Sequence, residues 1–439
     1  MFRWQGHPVG IARTEVELAR HFLNDVSPQS RTFCITHRKQ RQILEISDEQ
    51  VRNRLNEIDA GNGSGSSSAP NKAGLIKKLL KGLKQFVGQT ISRLFPTTSK
   101  QLKATLRESY SSIRVLRTVL IHEIRSYIRK PPSFGFKSST LGAGDTYVAL
   151  GLDWDDKDER LIWPLKKQGV RIARFCYDLI PVNEPQFVPP GNLQVMDAYF
   201  AELMWNSDIL FCISEFTATA VKDYCERMTL PLPQTKVVYL GQEITRTEPS
   251  SVTSSKVAKD KFFLSVGTLE PRKNYELLYF VWRILRKKLG NECPILVIVG
   301  RPGWNVDNLL YKIKCDPKVC DYIQIHSNVS DEKLHELYLG STAVLVPSFC
   351  EGWGLPAAEA ASLGKVVVYS NASALPEATQ GFGLPLDPDD PKAWSEAILK
   401  LLDDSSWHKE LENKTRTGFH IRSWKEFAGS VARELLVLT

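Results

Sequence analysis

The sequence predicts an α/β protein built from two doubly wound, parallel-sheet domains that face each other across a cleft. Three observations carry this. From Asp145 onward, short β-rich apolar runs alternate with helical patterns, as a parallel sheet with crossover helices requires. The alternation stops in a polar stretch with a Ser/Thr cluster, residues 243–260, and restarts after it. The length of 439 residues is enough for two or three domains.

The elements follow in order. "GNGSGSSS" at 61–68 reads as a flexible linker. In the stretch after it, Ile76, Leu79, Leu80, Leu83, Phe86, Ile91 and Leu94 recur at roughly helical spacing, and Lys77, Lys78, Lys81 and Lys84 fall largely elsewhere on the wheel. "TYVALGL", "RIARFC", "DILFCIS" and "KVVYLG" read as strands of a first sheet. "FFLSVG", "PILVIVG", "YIQIHS", "AVLVPS" and "KVVVYS" read as strands of a second, with helices such as "YELLYFVWRILRKKLG" between them. The expected organisation is an N-terminal domain over 1–242 with an insertion at about 38–140, a C-terminal domain over 261–420 and a final helix over 421–439. Ligands of open α/β sheets bind outside the carboxyl ends of the strands, so the cleft is where a site is expected.

Composition narrows the class. At 42% hydrophobic and 24% charged the chain is ordinary for a soluble globular protein. Its eight cysteines include no CxxC pair, which argues against a disulfide framework and fits a reducing compartment. "MFRWQGHPVG" has no apolar signal-peptide core, and no apolar run approaches the ~18 residues that span a bilayer. A cytoplasmic location is expected. The net charge of +8 is uneven: residues 72–130 hold fourteen Lys and Arg against Glu108 and Glu123, so this segment carries +12 and the rest −4. A segment with leucines on one face, lysines on another and no spanning run suits an anionic membrane surface. The plainer alternative is an amphipathic helix packed on its own domain.

Two stretches concentrate chemistry. In "SFCEGWGLPAAEA", Glu351 follows an apolar strand, and a turn, Gly352-Trp353-Gly354, leads into a helix that carries Glu359. Pro356 suits the first position of that helix, and the glycines allow close approach of backbone N–H groups to a ligand. A helix N-terminus receives phosphate, whereas a carboxylate beside it is better used on hydroxyls, as a ribose diol or a second polyol would offer. In "SVGTLEPRKNYELL", a strand ends at Gly267, and Arg272 and Lys273 sit where the next helix begins. Two adjacent cations at the mouth of a parallel sheet suit a diphosphate, although most Arg-Lys pairs are simply solvated.

"SVGTLEPRKN", "NVSDEKLHELY" and "VPSFCEGWGLPAAEA" resemble the donor-binding half of glycosyltransferase family 4, retaining enzymes of GT-B architecture with two facing Rossmann-like domains. Glu351 and Glu359 match the family's E-x7-E motif. The resemblance covers about 145–439 and implies that Arg272, Lys273 and the N–H groups of Gly354 and Leu355 hold a nucleotide diphosphate. It further implies that Glu351 contacts the donor sugar, that Glu359 contacts the ribose, and that Val329 lies against the base. "GHPVGIARTEVELARHF" is similar to the family's glycine loop, with Gly6 and Gly10 facing the cleft, though only five residues precede Gly6 where a strand is usual. Asp178 and the acceptor side match at "YDLIPV", with Tyr177 where the family often has His, and at Ser214 and Glu215 of "SEFTATA".

The function implied is metal-independent hexosyl transfer, with GDP-mannose as the first candidate donor, to a growing, lipid-linked glycan, as in bacterial mannosyl- and rhamnosyltransferases of surface polysaccharides. No D-x-D metal site stands out, and Asp156 and Asp158 of "DDKDE" read as a solvated turn. The competing readings are an inactive nucleotide-sugar-binding relative and a nucleic-acid binder using the basic segment. The latter is disfavoured because that segment lacks interleaved aromatics for base stacking, so no nucleic-acid partner is expected. A nicotinamide oxidoreductase is disfavoured because no strand ends in GxGxxG.

Overall fold

The computed structural model describes residues 11–37, 42–59, 137–138, 141–150, 159–189, 193–243 and 261–436. The chain divides into one compact unit of Met1–Asp59 with Ser138–Thr439 and a second of Ala60–Lys137. Both parallel sheets belong to the first. The membrane-facing segment expected over 72–130, the Asp156–Asp158 turn and Gly10 lie outside the described residues.

The N-terminal half opens with helix α1 (Ile11–Asp25). An antiparallel pair follows, β1 (Phe33–His37) and β2 (Gln42–Ile46), in the register Phe33↔Ile46, and then α2 (Asp48–Asp59). The region expected as an insertion therefore begins within β-structure and a helix. The first parallel sheet runs β3 (Thr146–Ala149), β4 (Arg171–Cys176), β5 (Ile209–Cys212) and β6 (Gln234–Val237) in chain order. Helices α3 (Glu159–Lys167), α4 (Leu193–Asn206) and α5 (Glu215–Met228) connect them. β4 and β5 are almost wholly buried, which is why their sequences are continuous apolar runs and do not alternate.

The second sheet has six parallel strands: β7 (Phe262–Val266), β8 (Ile295–Val299), β9 (Ile323–His326), β10 (Val344–Val346), β11 (Val367–Ser370) and β12 (Leu384–Leu386). Their spatial order is β9-β8-β7-β10-β11-β12. The order reverses between β7 and β10, and that switch point is where a doubly wound sheet opens a crevice. Helices α6 (Tyr275–Leu289), α7 (Asp307–Cys315), α8 (Asp331–Gly340), α9 (Leu355–Ser362), α10 (Pro391–Asp403) and α11 (Ser405–Gly418) cover this sheet.

The last helix, α12 (Trp424–Leu436), returns to the N-terminal half. Trp424, Phe427, Ala428, Val431 and Leu435 form a helical stripe that is buried. They share one core with Leu18 of α1, Phe175 of β4 and Phe211 of β5. Trp353 and Ala358 of the second domain enter the same core. The backbone and side chain of Gln242 fix the crossing: its N–H donates to the Arg422 carbonyl at 3.0 Å, and its Nε2 donates to the His420 carbonyl at 2.8 Å. Among the described residues, no helix is long and apolar enough to cross a membrane.

Candidate active site

The site grows from the two strands at the switch point. After β7 the chain turns through Gly267 and reaches Arg272 and Lys273. These do not begin the helix, as the sequence suggests. They lie in a tight 3-10 turn, Pro271–Lys273, and α6 starts only at Tyr275. Asn274 between them is left-handed, at φ 53°, and its side-chain amide donates to the Pro388 carbonyl at 2.8 Å. That residue breaks the helical path and aims both cations back toward β10.

After β10 the chain reaches Ser348 and Glu351. Glu351 is only 5% exposed and accepts from both cations: Arg272 Nη1 lies 2.7 Å from Oε2 and Lys273 Nζ 2.5 Å from Oε1. Ser348 Oγ donates to Oε1 at 2.7 Å, and the Glu351 N–H donates to Ser373 Oγ at 2.9 Å. Arg272 also pairs with Glu270 at 2.7 Å through Nε and donates to the Cys350 carbonyl at 3.0 Å. The Phe349 N–H returns a bond to the Arg272 carbonyl at 2.8 Å.

Electrostatics follow from this packing. Burial alone would raise the pKa of Glu351, but Arg272, Lys273 and the hydrogen bonds from Lys273 and Ser348 hold it at about 2. It is a carboxylate throughout the neutral range and cannot serve as a proton donor. Burial works to lower the pKa of Arg272, and Glu351, Glu270 and Asp178 carry it upward instead. Lys273 shifts down, with burial the largest cause, Glu351 opposing it and Arg272 adding to it.

The glycine turn after Glu351 meets the other domain directly. A Cβ on Gly352 would lie 2.1 Å from the Tyr177 carbonyl and 3.0 Å from Asp178 Cβ, so only glycine fits. Gly354, left-handed at φ 103°, is the N-cap of α9. Leu355 is the first residue of that helix, so Pro356 takes the second position and not the first. Ser214, fully buried, caps α5 by accepting from the Thr217 N–H at 3.0 Å. It also donates to the Gly352 carbonyl at 2.8 Å.

The first N–H groups of α5 are taken by the facing domain. Glu377 accepts from the Glu215 N–H and the Phe216 N–H, both at 2.8 Å. Asp178 sits at the end of β4, where Oδ1 accepts from the Ile180 N–H at 3.1 Å. Its pKa is raised, by burial first, against the opposing effects of Arg272 and the Ile180 N–H.

Glu359 lies one turn into α9, on the face toward α1. Oε2 accepts from the Tyr338 hydroxyl at 3.0 Å, and Arg13 Nη1 stands 3.7 Å from Oε1. Its pKa is raised, with burial outweighing Arg13 and Tyr338. Val329 precedes α8 and packs partly buried against the core of the second sheet. Gly267 follows β7, and its carbonyl accepts from the Tyr275 hydroxyl at 2.9 Å.

The fold thus gathers Asp178, Arg272, Lys273, Glu351, Gly352 and Gly354 at one locus, with Ser214 and Glu215 on its N-terminal side. Tyr177 is a partial member. Its carbonyl meets Gly352, but its ring is buried against Phe175 and its hydroxyl donates to the Leu150 carbonyl at 2.5 Å. Glu270, Ser348, Glu377, Arg13 and Tyr338 escaped the reading of the sequence. Glu270 carried one signal, its place two residues before Arg272. The others act on partners 3 to 346 positions away, and no short motif marks them.

Residues 248–418 match the family described as Glycosyl transferases group 1. The chain is 29% identical over 242 residues to "O-antigen chain mannosyltransferase B" of Escherichia coli, covering 54% of this chain and 63% of that one. It is 26% identical over 288 residues to "Serotype-specific mannosyltransferase WbdA" of Escherichia coli, covering 62% of this chain and 34% of that one. The chain therefore spans less than two thirds of each of these relatives. In structure it resembles HepE of Anabaena in complex with UDP-glucose, with a TM-score of 0.53, 18% identity and coverage of 67% of this chain and 79% of that one. That identity speaks for the fold alone, two facing Rossmann-like halves of GT-B type. Residues 248–418 are a glycosyl transferases group 1 domain.

Proposed function

We propose that this protein is a retaining, metal-independent glycosyltransferase. It moves a mannosyl residue from a nucleotide sugar, GDP-mannose first, to a growing, lipid-linked surface glycan. The observation that carries the reading is the Arg272–Glu351–Lys273 cluster at the switch point, next to the glycine-capped N-terminus of α9. The mannosyl assignment draws on the names of the two Escherichia coli relatives.

In this reading the donor diphosphate meets Arg272, Lys273 and the N-terminal end of α9, where helix dipole and backbone N–H groups favour an anion. Glu351, held ionised, accepts hydrogen bonds from donor-sugar hydroxyls and keeps the two cations in place. Glu359 takes the ribose diol, and Val329 lies toward the base. The acceptor hydroxyl enters from the Asp178 side and attacks the face that the nucleotide leaves, and the leaving phosphate takes its proton. Catalysis rests on positioning and on stabilising the departing diphosphate, a task in which the two cations take the place of a divalent metal. The protein would work at the cytoplasmic face of a membrane, held there by residues 72–130.

The test is a thermal-shift screen of GDP-, UDP-, ADP- and dTDP-sugars, followed by transfer assays with the binding donor. A donor at ~100 times its dissociation constant adds about 2.7 kcal/mol of stability. Transfer with retention of the anomeric configuration, read by NMR, supports the proposal, and donor binding without transfer to any mannosyl acceptor points to an inactive relative. Flotation with anionic vesicles at low salt, reversed as salt rises, tests the membrane contact.

A further inference from the structure

A cavity of about 270 Å³ opens beside the cluster on the N-terminal side. One wall is apolar. Met196, Tyr199, Phe200 and Leu203 line it from α4, and their spacing puts them on one face of that helix. Phe187 closes the side, its ring stacked on Phe349 of the facing domain at 5.5 Å. The charged groups that line it belong to the site: Asp178, Glu270 and Arg272.

The cavity is thus two-faced, and its polar face shares Arg272 with the diphosphate site. A fully hydroxylated sugar in this space would turn hydroxyls toward Met196 and Phe200, which offer no side-chain hydrogen-bond partner. An occupant with hydroxyls on one side and hydrocarbon on the other satisfies both walls.

We propose that this cavity is an acceptor subsite for a hydrocarbon group, so that the preferred acceptor is a glycoside whose apolar aglycone sits under α4 while its hydroxyl faces Asp178. The proposal rests on the glycosyltransferase reading above and adds the class of acceptor. It makes Met196 and Phe187 specificity-determining residues outside the donor machinery.

The experiment is calorimetric titration of the intact protein with methyl α-mannoside, hexyl α-mannoside and hexyl α-glucoside. Five added methylenes that enter an apolar wall give the hexyl mannoside a dissociation constant at least about tenfold lower than that of its methyl counterpart. Met196→Gln and Phe187→Ser each remove that advantage, while the thermal shift produced by the donor stays as in the parent and certifies the fold. Equal affinity of hexyl and methyl glycosides, absence of binding by either, or an advantage that survives both variants overturns the subsite. Transfer from the donor to methyl α-mannoside is followed in parallel. Its absence would count against the proposed reaction, whereas the hexyl-over-methyl preference, measured as binding and with a glucoside as well, is read without any transfer.

Discussion

Glu377 and Phe216 belong to different domains, and the Phe216 N–H donates to the Glu377 carboxylate at 2.8 Å while the Glu215 N–H donates to its other oxygen at the same distance. A helix N-terminus is a natural anion site, and here a side chain of the facing domain occupies it. The Ser214–Gly352 bond lies beside it. Together they hold the glycine turn that follows Glu351 against the end of β4.

Glu377→Ala removes both bonds. The contact is partly solvated, so its loss weakens domain closure by about 1–2 kcal/mol. The expected outcome is a larger radius of gyration by small-angle scattering and a lower kcat, with donor affinity close to the parent because Arg272, Lys273 and α9 are untouched. Glu377→Gln keeps one acceptor oxygen and falls between the two. A variant with parent dimensions and parent kcat would show that the contact does not govern closure.

Glu351→Ala and Glu359→Ala separate two roles. Removing Glu351 leaves two largely buried cations without their shared partner and costs about 3–5 kcal/mol of stability, read by urea denaturation. It also abolishes turnover. Removing Glu359 weakens donor binding by about 2 kcal/mol, roughly thirtyfold in dissociation constant. Unchanged donor affinity in Glu359→Ala would contradict its assignment to the ribose.

The site titrates in three places. Lys273 has a pKa lowered from 10.5, burial being the largest cause, so it loses its charge as pH rises through a value below that of a free lysine. Donor affinity then falls on an alkaline limb, and Lys273→Arg removes that limb. Glu359, raised from 4.5 mainly by burial, protonates as pH falls through a value above 4.5 and produces an acid limb that Glu359→Gln flattens. Glu351 behaves in the opposite sense. Burial is outweighed by Arg272 and Lys273, and with a pKa of about 2 its contribution to stability is complete above 4.5 and is lost only as pH falls toward 2. A pH titration of donor affinity that ignores both Lys273→Arg and Glu359→Gln would refute these assignments.

The proposed reaction proceeds in excess chelator, because Arg272 and Lys273 meet the departing diphosphate. Arg272→Ala is inactive and magnesium does not restore it. Activity that vanishes with chelator and returns with a divalent ion would instead place the charge stabilisation on a metal.

The parent sequence by itself determined the alternation of strands and helices, the break near 243–260 and the two motif stretches at the ends of β7 and β10. These are local properties: a buried parallel strand is a continuous apolar run, and a glycine turn before a helix is written within a few residues. Tertiary structure alone decided the pairings. Arg272 and Lys273 read as free cations in a row, but packing the turn after β7 against the turn after β10 gives both to Glu351. Tyr177 read as a cleft residue, and the close approach of Gly352 leaves only its carbonyl there. The final helix expected over 421–439 carried no sign of the domain it would cover, and Glu377 carried no mark of its partner 162 residues away. Hydrophobic periodicity and turn chemistry are encoded along the chain, whereas ion pairs and helix caps between domains depend on distances that exist only once both sheets have formed and closed on each other.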